Sequence, residues 1–421
     1  MHDIEDSVST TARPVRSAAW PTYDKGDVIL GYEELAAAER VIESKLLFRY
    51  DRRAIGDSEV GRFERSLCDF FGARHALAVS SGTAALALSF MALGIRNGDE
   101  VLCSAFGFPA SPSSILLAGG RPVLVDVDDN LHMDPRDLER KITPKTKAIL
   151  VVHMRGQCGD LQRILDIANA RGLPIVEDAV PILGAKMQGR YLGTFGALGA
   201  FSTQSDKSLN TGEGGFVLTD DTGLFERLVV LSGAYEGRLR KHCEWEPRTD
   251  ELELPLFNFR MDEIRGAIAS SQLARLPDRL SALATNYWSV RERLAPFREL
   301  VIRESHDPNA TLGDNIVFRL RGSNAIGAQR FAEALCAEGI EARWFGALSR
   351  PNVRSFWNWK FMFPGMSRHE IRATLPNATY LLDRTIDIPL SPTLTQVDID
   401  DLVRAVGKKL ARYKMSTREF A

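Results

Sequence analysis

Lys207 is the residue whose type and neighbours point most directly to covalent chemistry. It lies between a polar strand end, Phe201-Ser202, and the glycine turn Gly212-Glu213-Gly214-Gly215. Free lysine is almost wholly protonated at neutral pH, and its amine becomes a nucleophile where the ammonium is partly desolvated or lies near other cations or an electron sink. A pocket between a strand end and a glycine turn can provide this setting. We therefore expect Lys207 to hold a cofactor, the alternative being an ordinary solvated surface charge.

The run Ser80-Ser81-Gly82-Thr83 has the composition of a phosphate-binding site. It joins a candidate strand at residues 76–80 to a candidate helix at residues 84–93. Free backbone amides and hydroxyl groups would converge there at the positive end of the helix dipole, which favours an anion. The alternative is an ordinary strand-to-helix turn in which Ser and Thr cap the helix.

Asp178 closes a candidate strand at residues 174–178. In open α/β sheets, ligands lie beyond the carboxyl ends of the strands, so this carboxylate would project towards a ligand. It could pair with a cationic ring nitrogen. In a pyridoxal phosphate (PLP) site, such an acid keeps the pyridine nitrogen protonated, and the ring then acts as an electron sink. The alternative is an aspartate that caps a helix.

Phe108 and His153 are two further candidates at predicted strand ends. Phe108 stands on a loop rich in small residues, where its ring can stack on a planar ligand, and the alternative is a core aromatic. His153 ends a candidate strand at residues 148–153, where it could shuttle a proton, and the alternative is a buried structural histidine.

Composition favours a globular enzyme and excludes several other classes. The 421 residues include 53 Lys and Arg against 55 Asp and Glu, a net charge of −2, so we expect no nucleic-acid or membrane partner. The five cysteines lack C-x-x-C spacing, which argues against a zinc site or a disulfide framework. Residues 1–17 lack the apolar segment of a signal peptide, and no apolar run reaches membrane-spanning length. We therefore expect a cytoplasmic location.

The organisation of the chain predicts an α/β fold. Residues 40–220 alternate β-rich runs with stretches of helical period, which indicates a mostly parallel sheet flanked by helices. A helix is predicted from after residue 257 to residue 276, and a smaller α/β pattern follows from about residue 314 to a closing helix at 397–412. We expect a mobile segment at 1–18, a large domain at 19–276 and a small C-terminal domain at 277–421. Residues 235–255 read as a long surface excursion. The remaining candidate strands are residues 100–103, 122–126, 199–202 and 216–219.

Several segments of the chain, taken in sequence order, together resemble the conserved segments of one protein family. They are Ser81-Gly82-Thr83, Phe108, Val151-Val152-His153-Met154-Arg155-Gly156, Glu177-Asp178-Ala179, Phe201-Ser202 with Lys207, Gly212-Glu213-Gly214-Gly215 and Asn258-Phe259-Arg260-Met261. The chain resembles the DegT/StrS family of PLP-dependent aminotransferases from about Trp20 to the C-terminal helix. The resemblance implies fold-type I, the aspartate aminotransferase superfamily, and substrates that are keto-sugars or keto-cyclitols.

The resemblance also assigns roles to individual residues. Lys207 looks like the Schiff-base lysine, Asp178 the partner of the pyridine nitrogen and Phe108 the aromatic stacked on the cofactor. Asn258 matches an asparagine that reaches the cofactor phosphate of a neighbouring subunit, which implies a homodimer with shared active sites. The phosphate-binding positions match Ser81, Gly82, Thr83 and Ser202.

Two departures from the family pattern bear on the reaction. The family usually carries glutamine or histidine three residues after the aspartate, where it contacts the phenolic oxygen of the cofactor, but Pro181 has no side-chain donor. The segment before Lys207 reads Thr203-Gln204-Ser205-Asp206, unlike the aromatic-proline run that is common in the nucleotide-sugar branch. Gln204 and the glycine turn look closer to the cyclitol and aminohydroxybenzoate branch. Related dehydratases replace the lysine by histidine, whereas this chain keeps Lys207.

The resulting expectation is an aminotransferase that moves nitrogen from glutamate or glutamine to a keto-sugar or keto-cyclitol, in secondary-metabolite or cell-surface sugar biosynthesis. Arg155 and Arg343 are candidates for binding the donor carboxylate, and His153 for substrate binding. The alternatives are another PLP reaction, such as that of a lyase, cyclase or oxidative deaminase, and a catalytically idle regulatory relative. A nucleotide-binding Rossmann protein is disfavoured because no G-x-G-x-x-G follows the first strand.

Overall fold

The computed structural model describes residues 13–21, 29–347 and 351–418. Of the segment predicted to be mobile, residues 1–12 lie outside the described residues. Within residues 13–18, the Val15 amide donates to Glu338 Oε2 at 2.9 Å and Arg16 pairs with Asp398 at 2.6 Å. The described end of this segment is therefore bonded to the C-terminal part of the chain.

A seven-stranded sheet forms the centre of the larger unit, in the order β1-β9-β8-β5-β4-β2-β3. All neighbours pair in parallel except β9, which runs antiparallel to both β1 and β8. The seven candidate strands are all present, with ends shifted by no more than two residues, and the predicted fold class is confirmed. The strands are β1 His75–Val79, β2 Glu100–Ser104, β3 Arg121–Val125, β4 Thr146–Val152, β5 Ile175–Asp178, β8 Leu198–Ser202 and β9 Gly215–Thr219, and a separate two-stranded hairpin joins β6 Lys186–Met187 to β7 Arg190–Tyr191.

Helices cover both faces of this sheet because its strands are apolar on both sides. In β4, Leu150 and Val152 belong to one buried cluster and Ile149 and Val151 to the other. This alternation follows from the two-residue side-chain period of a strand. The helices of this unit are α1 Tyr32–Ser44, α2 Glu59–Phe71, α3 Gly82–Ala92, α4 Ala110–Leu117, α5 Pro135–Lys141, α6 Leu161–Ala170, α7 Thr222–Ser232 and α8 Glu263–Leu273.

The predicted helix through residue 276 is two helices, α8 and α9 Leu276–Leu294. Asp262 caps α8 by accepting from the Arg265 amide at 3.0 Å. Pro277 stands in the first turn of α9, where its missing N–H costs nothing. The predicted boundary between residues 276 and 277 thus falls at the start of α9.

The C-terminal unit has its own sheet and its own buried cluster. Its four strands are antiparallel, in the order β10-β11-β13-β12. The strands are β10 Leu300–Ile302, β11 Asn315–Leu320, β12 Arg343–Trp344 and β13 Thr385–Pro389, and the helices are α10 Ala325–Cys336, α11 Arg368–Ala373, α12 Pro376–Leu382 and α13 Gln396–Arg418.

The excursion at residues 235–255 contains two short 3-10 turns, Arg238–His242 and Glu251–Glu253. Glu226 of α7 holds it by accepting from Trp245 Nε1 at 2.7 Å and from the amides of Arg248 at 3.0 Å and Thr249 at 2.9 Å. A helix long and apolar enough to cross a membrane is absent from the described ranges.

Candidate active site

One cavity of about 430 Å³ lies at the carboxyl ends of β1, β2, β4, β5 and β8. Parallel strands bring the residues that follow them to a common edge, which is where ligands of open α/β sheets bind. The lining combines polar and apolar groups: Ser81, Gly82, Thr83, Leu86, Phe108, Ala110, Val152, Met154, Arg155, Asp178, Val180, Pro181, Leu183, Ser202, Gln204, Asp206, Lys207, Ser208, Glu213, Leu312, Asp314 and Arg354.

The start of α3 forms one wall of the cavity. Ser81 caps this helix, its Oγ accepting from the Ala84 amide at 3.0 Å. The first amides of a helix have no acceptor inside it, and they add to the positive end of the helix dipole. Ser81 therefore caps α3 and also lines the predicted phosphate-binding site, so the two interpretations of this sequence run are compatible.

Two glycines allow the backbone to pack closely around this phosphate-binding site. A Cβ on Gly82 would lie 2.8 Å from Ser202 Cβ, and one on Gly215 would lie 2.8 Å from the Gly82 nitrogen. Real Cβ atoms essentially never approach that closely, so a side chain at either position would push β8 or β9 away from the start of α3. The close packing leaves the amides of α3 beside Ser202.

Asp178 is buried at the cavity wall, with 4% of its surface exposed. Its Oδ2 accepts from Ser111 Oγ at 2.7 Å and its Oδ1 from the Val180 amide at 3.3 Å. Burial raises the pKa of Asp178, while these hydrogen bonds and the charges of His153 and Lys207 oppose the rise. A buried carboxylate of this kind is stabilised in its charged form by a cation placed beside it.

Lys207 stands on a tight loop between β8 and β9. Its amide donates to the Gln204 carbonyl at 2.9 Å, and the Ser205 amide donates to the Gly212 carbonyl at 3.0 Å. Its Nζ lies 2.9 Å from Asp206 Oδ1, and 22% of the side chain is exposed. The amine therefore reaches the cavity while the backbone that carries it is hydrogen-bonded across the loop.

Side chains of α8 and α9 hold this loop in place. Gln272 of α8 accepts from the Asn210 amide at 2.7 Å and donates to the Asn210 carbonyl at 2.6 Å. Arg279 of α9 donates to the Ser208 carbonyl at 3.0 Å. The polar groups of the loop are thus satisfied by side chains that sequence patterns did not single out.

Phe108 lies at the cavity with 48% of its surface exposed, so it is not a core aromatic in this chain. Its carbonyl accepts from the Ser111 amide at 3.0 Å at the start of α4. An exposed ring in a cavity wall offers a face to a planar ligand.

His153 is not among the described residues that line the cavity, although Asp178 beside it is. It is 1% exposed, and its Nε2 lies 2.9 Å from Glu177 Oε2. Burial disfavours the charged ring, but Cys158 and Glu177 raise the pKa of His153 to about 10. Glu177 also accepts from the Phe195 and Gly196 amides, at 2.6 Å and 2.7 Å, so the geometry favours the structural-histidine alternative.

The two predicted arginines have different positions. Arg155 lines the cavity, 2% of its side chain is exposed, and it forms an ion pair with Asp387 of β13. Its φ of 58° is rare for a residue with a Cβ, which marks a strained position. Arg343 lies outside the cavity lining and bonds Glu341 through Nε at 2.8 Å. Asn258 is exposed and also lies outside the lining.

Polar residues that were missed as candidates include Asp206, Ser208, Glu213, Asp314 and Arg354 of the cavity lining, and Ser111, which lies behind the lining and bonds Asp178. Ser111, Asp206 and Glu213 occur in segments that the sequence did single out, so their nearness to the site was the available signal. Arg354 lies in an irregular stretch without periodicity, and no sequence pattern points to it.

The fold and the cavity together define a cofactor-dependent α/β enzyme, and comparison with known proteins identifies its family. The sequence profile of the DegT/DnrJ/EryC1/StrS aminotransferase family matches residues 30–407. The chain is 31% identical over 388 residues to the spore coat polysaccharide biosynthesis protein SpsC of Bacillus subtilis (strain 168), with 90% of this chain and 94% of that protein covered. It is 35% identical over 296 residues to a GDP-perosamine synthase of Caulobacter vibrioides, with 68% and 76% covered.

Solved structures agree with this result. That of 3-amino-5-hydroxybenzoic acid synthase has a TM-score of 0.78 and 26% identity, with 95% of this chain and 100% of that chain covered. An E. coli GDP-4-keto-6-deoxy-D-mannose-3-dehydratase with bound hydrated PLP has a TM-score of 0.74, with 94% and 99% covered; at 23% identity it supports the fold alone. The chain belongs to the DegT/DnrJ/EryC1/StrS family of PLP-dependent aminotransferases. The predicted family and enzyme class are confirmed, and the predicted PLP cofactor is confirmed through membership of this PLP-dependent family.

The described residues fit pyridoxal phosphate. The start of α3 offers amides and hydroxyls to a phosphate, and it packs so closely on its neighbours that neither Gly82 nor Gly215 has room for a Cβ. Asp178 offers a buried carboxylate to a cationic ring nitrogen, and Lys207 offers an amine to an aldehyde.

Proposed function

We propose that this aminotransferase moves an amino group from glutamate or glutamine to the keto group of a sugar or cyclitol derivative, in secondary-metabolite or cell-surface sugar biosynthesis. This proposal rests mainly on one observation, which is that Lys207, Asp178 and the start of α3 all line the same cavity. Each group has a separate task in amino transfer, and they come from three different strand ends.

Ser81, Gly82, Thr83 and Ser202 would hold the phosphate, and Phe108 would pack on the ring. When bound, the cofactor supplies an aldehyde that accepts an amino group and a ring that withdraws electrons from the reacting carbon. Asp178 would keep the proton on the ring nitrogen, since its buried carboxylate favours an adjacent cation. Lys207 Nζ, once free, would take the proton from the amino-bearing carbon of the donor in the first half of the transfer and would deliver a proton to the carbon of the acceptor that receives the amino group in the second half.

Arg354 is our candidate for the residue that binds the carboxylate of the amino donor. It lines the cavity together with Arg155, whose guanidinium is engaged with Asp387. Burial raises the pKa of Asp387, and the charges of Arg155, Arg354 and Arg343 oppose that rise. A guanidinium in a cavity wall can bind a carboxylate through two parallel hydrogen bonds, which supports Arg354 as the residue that meets an anionic substrate group.

The acceptor is inferred from the relatives. A spore coat polysaccharide protein, a GDP-perosamine synthase and 3-amino-5-hydroxybenzoic acid synthase support a keto-sugar or a cyclic keto compound as acceptor. A panel of keto-sugars and keto-cyclitols, offered to protein preloaded with the amino group and read by mass spectrometry, would identify it.

We further propose a cytoplasmic homodimer in which Asn258 contributes to the site of the other subunit. Asn258 is exposed and lies outside the cavity of its own chain, which leaves it available to a second copy. The outer face of α1 carries exposed apolar residues, namely Tyr32 at 79%, Leu35 at 65% and Ile42 at 61%. Such a face is typical of a surface that a partner covers.

The central test is covalent trapping. Borohydride should fix PLP to a peptide containing Lys207, and Lys207→Ala should give neither this product nor amino transfer. Lys186, a lysine outside the cavity lining, is the matched control, and Lys186→Ala should keep both. The proposal would be contradicted if the wild-type protein took up no PLP, or if borohydride fixed PLP at another lysine.

The second candidate function is another PLP reaction, favoured by one observation. Pro181 lines the cavity three residues after Asp178 and brings no side-chain donor to it. Product formation without any amino donor would favour this candidate over amino transfer.

A further inference from the structure

Asp206 places a carboxylate directly against the proposed cofactor lysine. Its Oδ1 lies 2.9 Å and its Oδ2 3.1 Å from Lys207 Nζ. Both side chains line the cavity, and they are about equally exposed, at 26% and 22%. The ion pair therefore lies inside the active-site cavity rather than on the outer surface.

The pair is held by its backbone. Hydrogen bonds close the loop on both sides of Asp206, from the Lys207 amide to the Gln204 carbonyl at 2.9 Å and from the Ser205 amide to the Gly212 carbonyl at 3.0 Å. Gln272 fixes the same loop from α8 through Asn210. Since the two residues are neighbours on a fixed turn, the carboxylate stays within reach of the amine.

Other charged groups also line the cavity. The charge of Lys207 opposes the rise in the pKa of Asp178 through space. The remaining charged residues of the lining are Glu213, Asp314, Arg155 and Arg354. Within the part of the chain that the structure describes, Asp206 is the carboxylate found in contact with Nζ. Because the attraction between charges weakens with distance, Asp206 is the carboxylate best placed to stabilise the ammonium.

The charge state of Lys207 decides whether it can bind the cofactor. Capture uses the lone pair of the neutral amine: Nζ bonds to the aldehyde carbon, the aldehyde oxygen leaves as water, and one proton passes from the original ammonium to solvent. A carboxylate in contact stabilises the ammonium and so opposes capture. The same contact gives the ammonium a place at the cavity wall once a donor has displaced it.

We propose that Asp206 is a positioning residue that docks the free Lys207 ammonium and competes with covalent capture of the cofactor. The inference rests on the proposed role of Lys207. Asp206 would thereby favour the stage of the reaction in which Lys207 is free to move protons, and it would keep the lysine from recapturing the cofactor too early.

The test measures PLP capture by the cofactor-depleted full chain as a function of pH, through visible absorbance and borohydride-fixed PLP at Lys207. Asp206→Asn should move the pH of half-maximal capture towards acid by about 0.2 to 0.7 of a pH unit, the range expected for a partly exposed ion pair. Glu213→Gln is the matched control, because it removes the same charge from the same cavity without a contact to Nζ, and it should shift the midpoint less. Asp206→Glu should restore a midpoint close to that of the wild type.

A second measurement does not involve the cofactor. In the cofactor-depleted protein, an amine-modifying reagent should label Lys207 severalfold faster in Asp206→Asn than in the wild type at neutral pH. Asp206→Ser serves as the charge-removing variant if Asp206→Asn fails to fold. Equal midpoints, or equal shifts in the Asp206→Asn and Glu213→Gln proteins, would overturn the role of Asp206. Fixation of PLP elsewhere in the wild type would instead overturn the proposed function.

Discussion

Asp178 combines deep burial with hydrogen bonds that oppose the effect of burial on its charge. Burial alone favours the neutral acid, but the task proposed for this residue requires the carboxylate. Ser111 and Val180 supply donors to its two oxygens, and Ser111 is the shorter contact at 2.7 Å. The ionisation of Asp178 therefore depends on a residue that touches neither the proposed ring position nor the lysine.

Ser111→Ala tests this dependence. The variant loses a hydrogen bond to a charged acceptor, so the pKa of Asp178 rises further. A carboxyl group with a raised pKa is protonated at higher pH, and PLP affinity on the acid side of neutrality should therefore begin to fall at a higher pH than in the wild type. Ser114→Ala, which removes a hydroxyl that donates to the Ser111 carbonyl at 2.7 Å, is the control. Identical pH profiles of PLP binding in the two variants would contradict the prediction.

The donor carboxylate gives a second test at the residue scale. Arg354→Gln removes a charge from the cavity wall and should raise the KM for the amino donor by about tenfold to a hundredfold, with a smaller effect on the KM for the keto acceptor. Arg343→Gln is the matched control, since Arg343 lies outside the cavity lining and bonds Glu341. Steady-state kinetics with both substrates varied would decide. A larger effect of Arg343→Gln would return the role to that residue.

At the scale of elements, the loop that carries Lys207 depends on helices packed beneath it. Gln272 of α8 pairs with the amide and the carbonyl of Asn210 in the way that another peptide group would, and Gln272 is fully buried. Buried backbone groups that lose their partners cost about 1–3 kcal/mol each, so this side chain is important for the loop conformation. The position of the lysine therefore depends on a residue 65 places further along the chain.

Gln272→Leu should lower the free energy of unfolding by about 2–4 kcal/mol, because it leaves an amide and a carbonyl of Asn210 without partners. It should also slow the capture of PLP, since the loop no longer holds Lys207 in one position. Gln329→Leu makes the same change in α10, where the glutamine bonds Glu333 on the exposed surface, and should cost less than about 0.5 kcal/mol. Denaturant unfolding and PLP absorbance measure the two effects. Equal losses in both variants would exclude a special role for Gln272.

At the scale of the whole molecule, the cavity joins two units. Arg155 follows β4 of the large sheet and pairs with Asp387 of β13 in the C-terminal sheet, and Leu312, Asp314 and Arg354 line the cavity from the C-terminal part of the chain. A cavity shared in this way is complete only when the two units are packed together. The exposed position of Asn258 extends the same reasoning to a second copy of the chain.

A complementation experiment tests the shared site. Lys207→Ala and Asn258→Ala proteins should each lack most amino transfer activity. After the two are mixed, unfolded and refolded together, about half of the dimers contain one chain of each kind, and one of their two sites has both native residues. The mixture should recover about a quarter of wild-type activity. Recovery of nothing, or full activity of Asn258→Ala alone, would contradict a shared site.

Local sequence patterns were sufficient to predict the order of strands and helices and most of the residues at the strand ends. Apolar periods, glycine turns and the placing of Ser81, Asp178 and Lys207 are local features, and a parallel sheet brings the ends of its strands to one edge whatever its details. The resemblance of these segments to one family then predicted the cofactor and the enzyme class, both of which are confirmed.

The set of charged side chains that reach the cavity depends on the packing of the whole chain and could not be predicted from local patterns. His153 and Arg343 fitted the local pattern, but packing directs them to Glu177 and Glu341, whereas it brings in Arg354 from an irregular segment without periodicity. The contact between Asp206 and Lys207 likewise depends on how the loop closes. The physical reason is that local sequence sets the type of element, while the direction of a side chain depends on contacts between residues far apart in the chain.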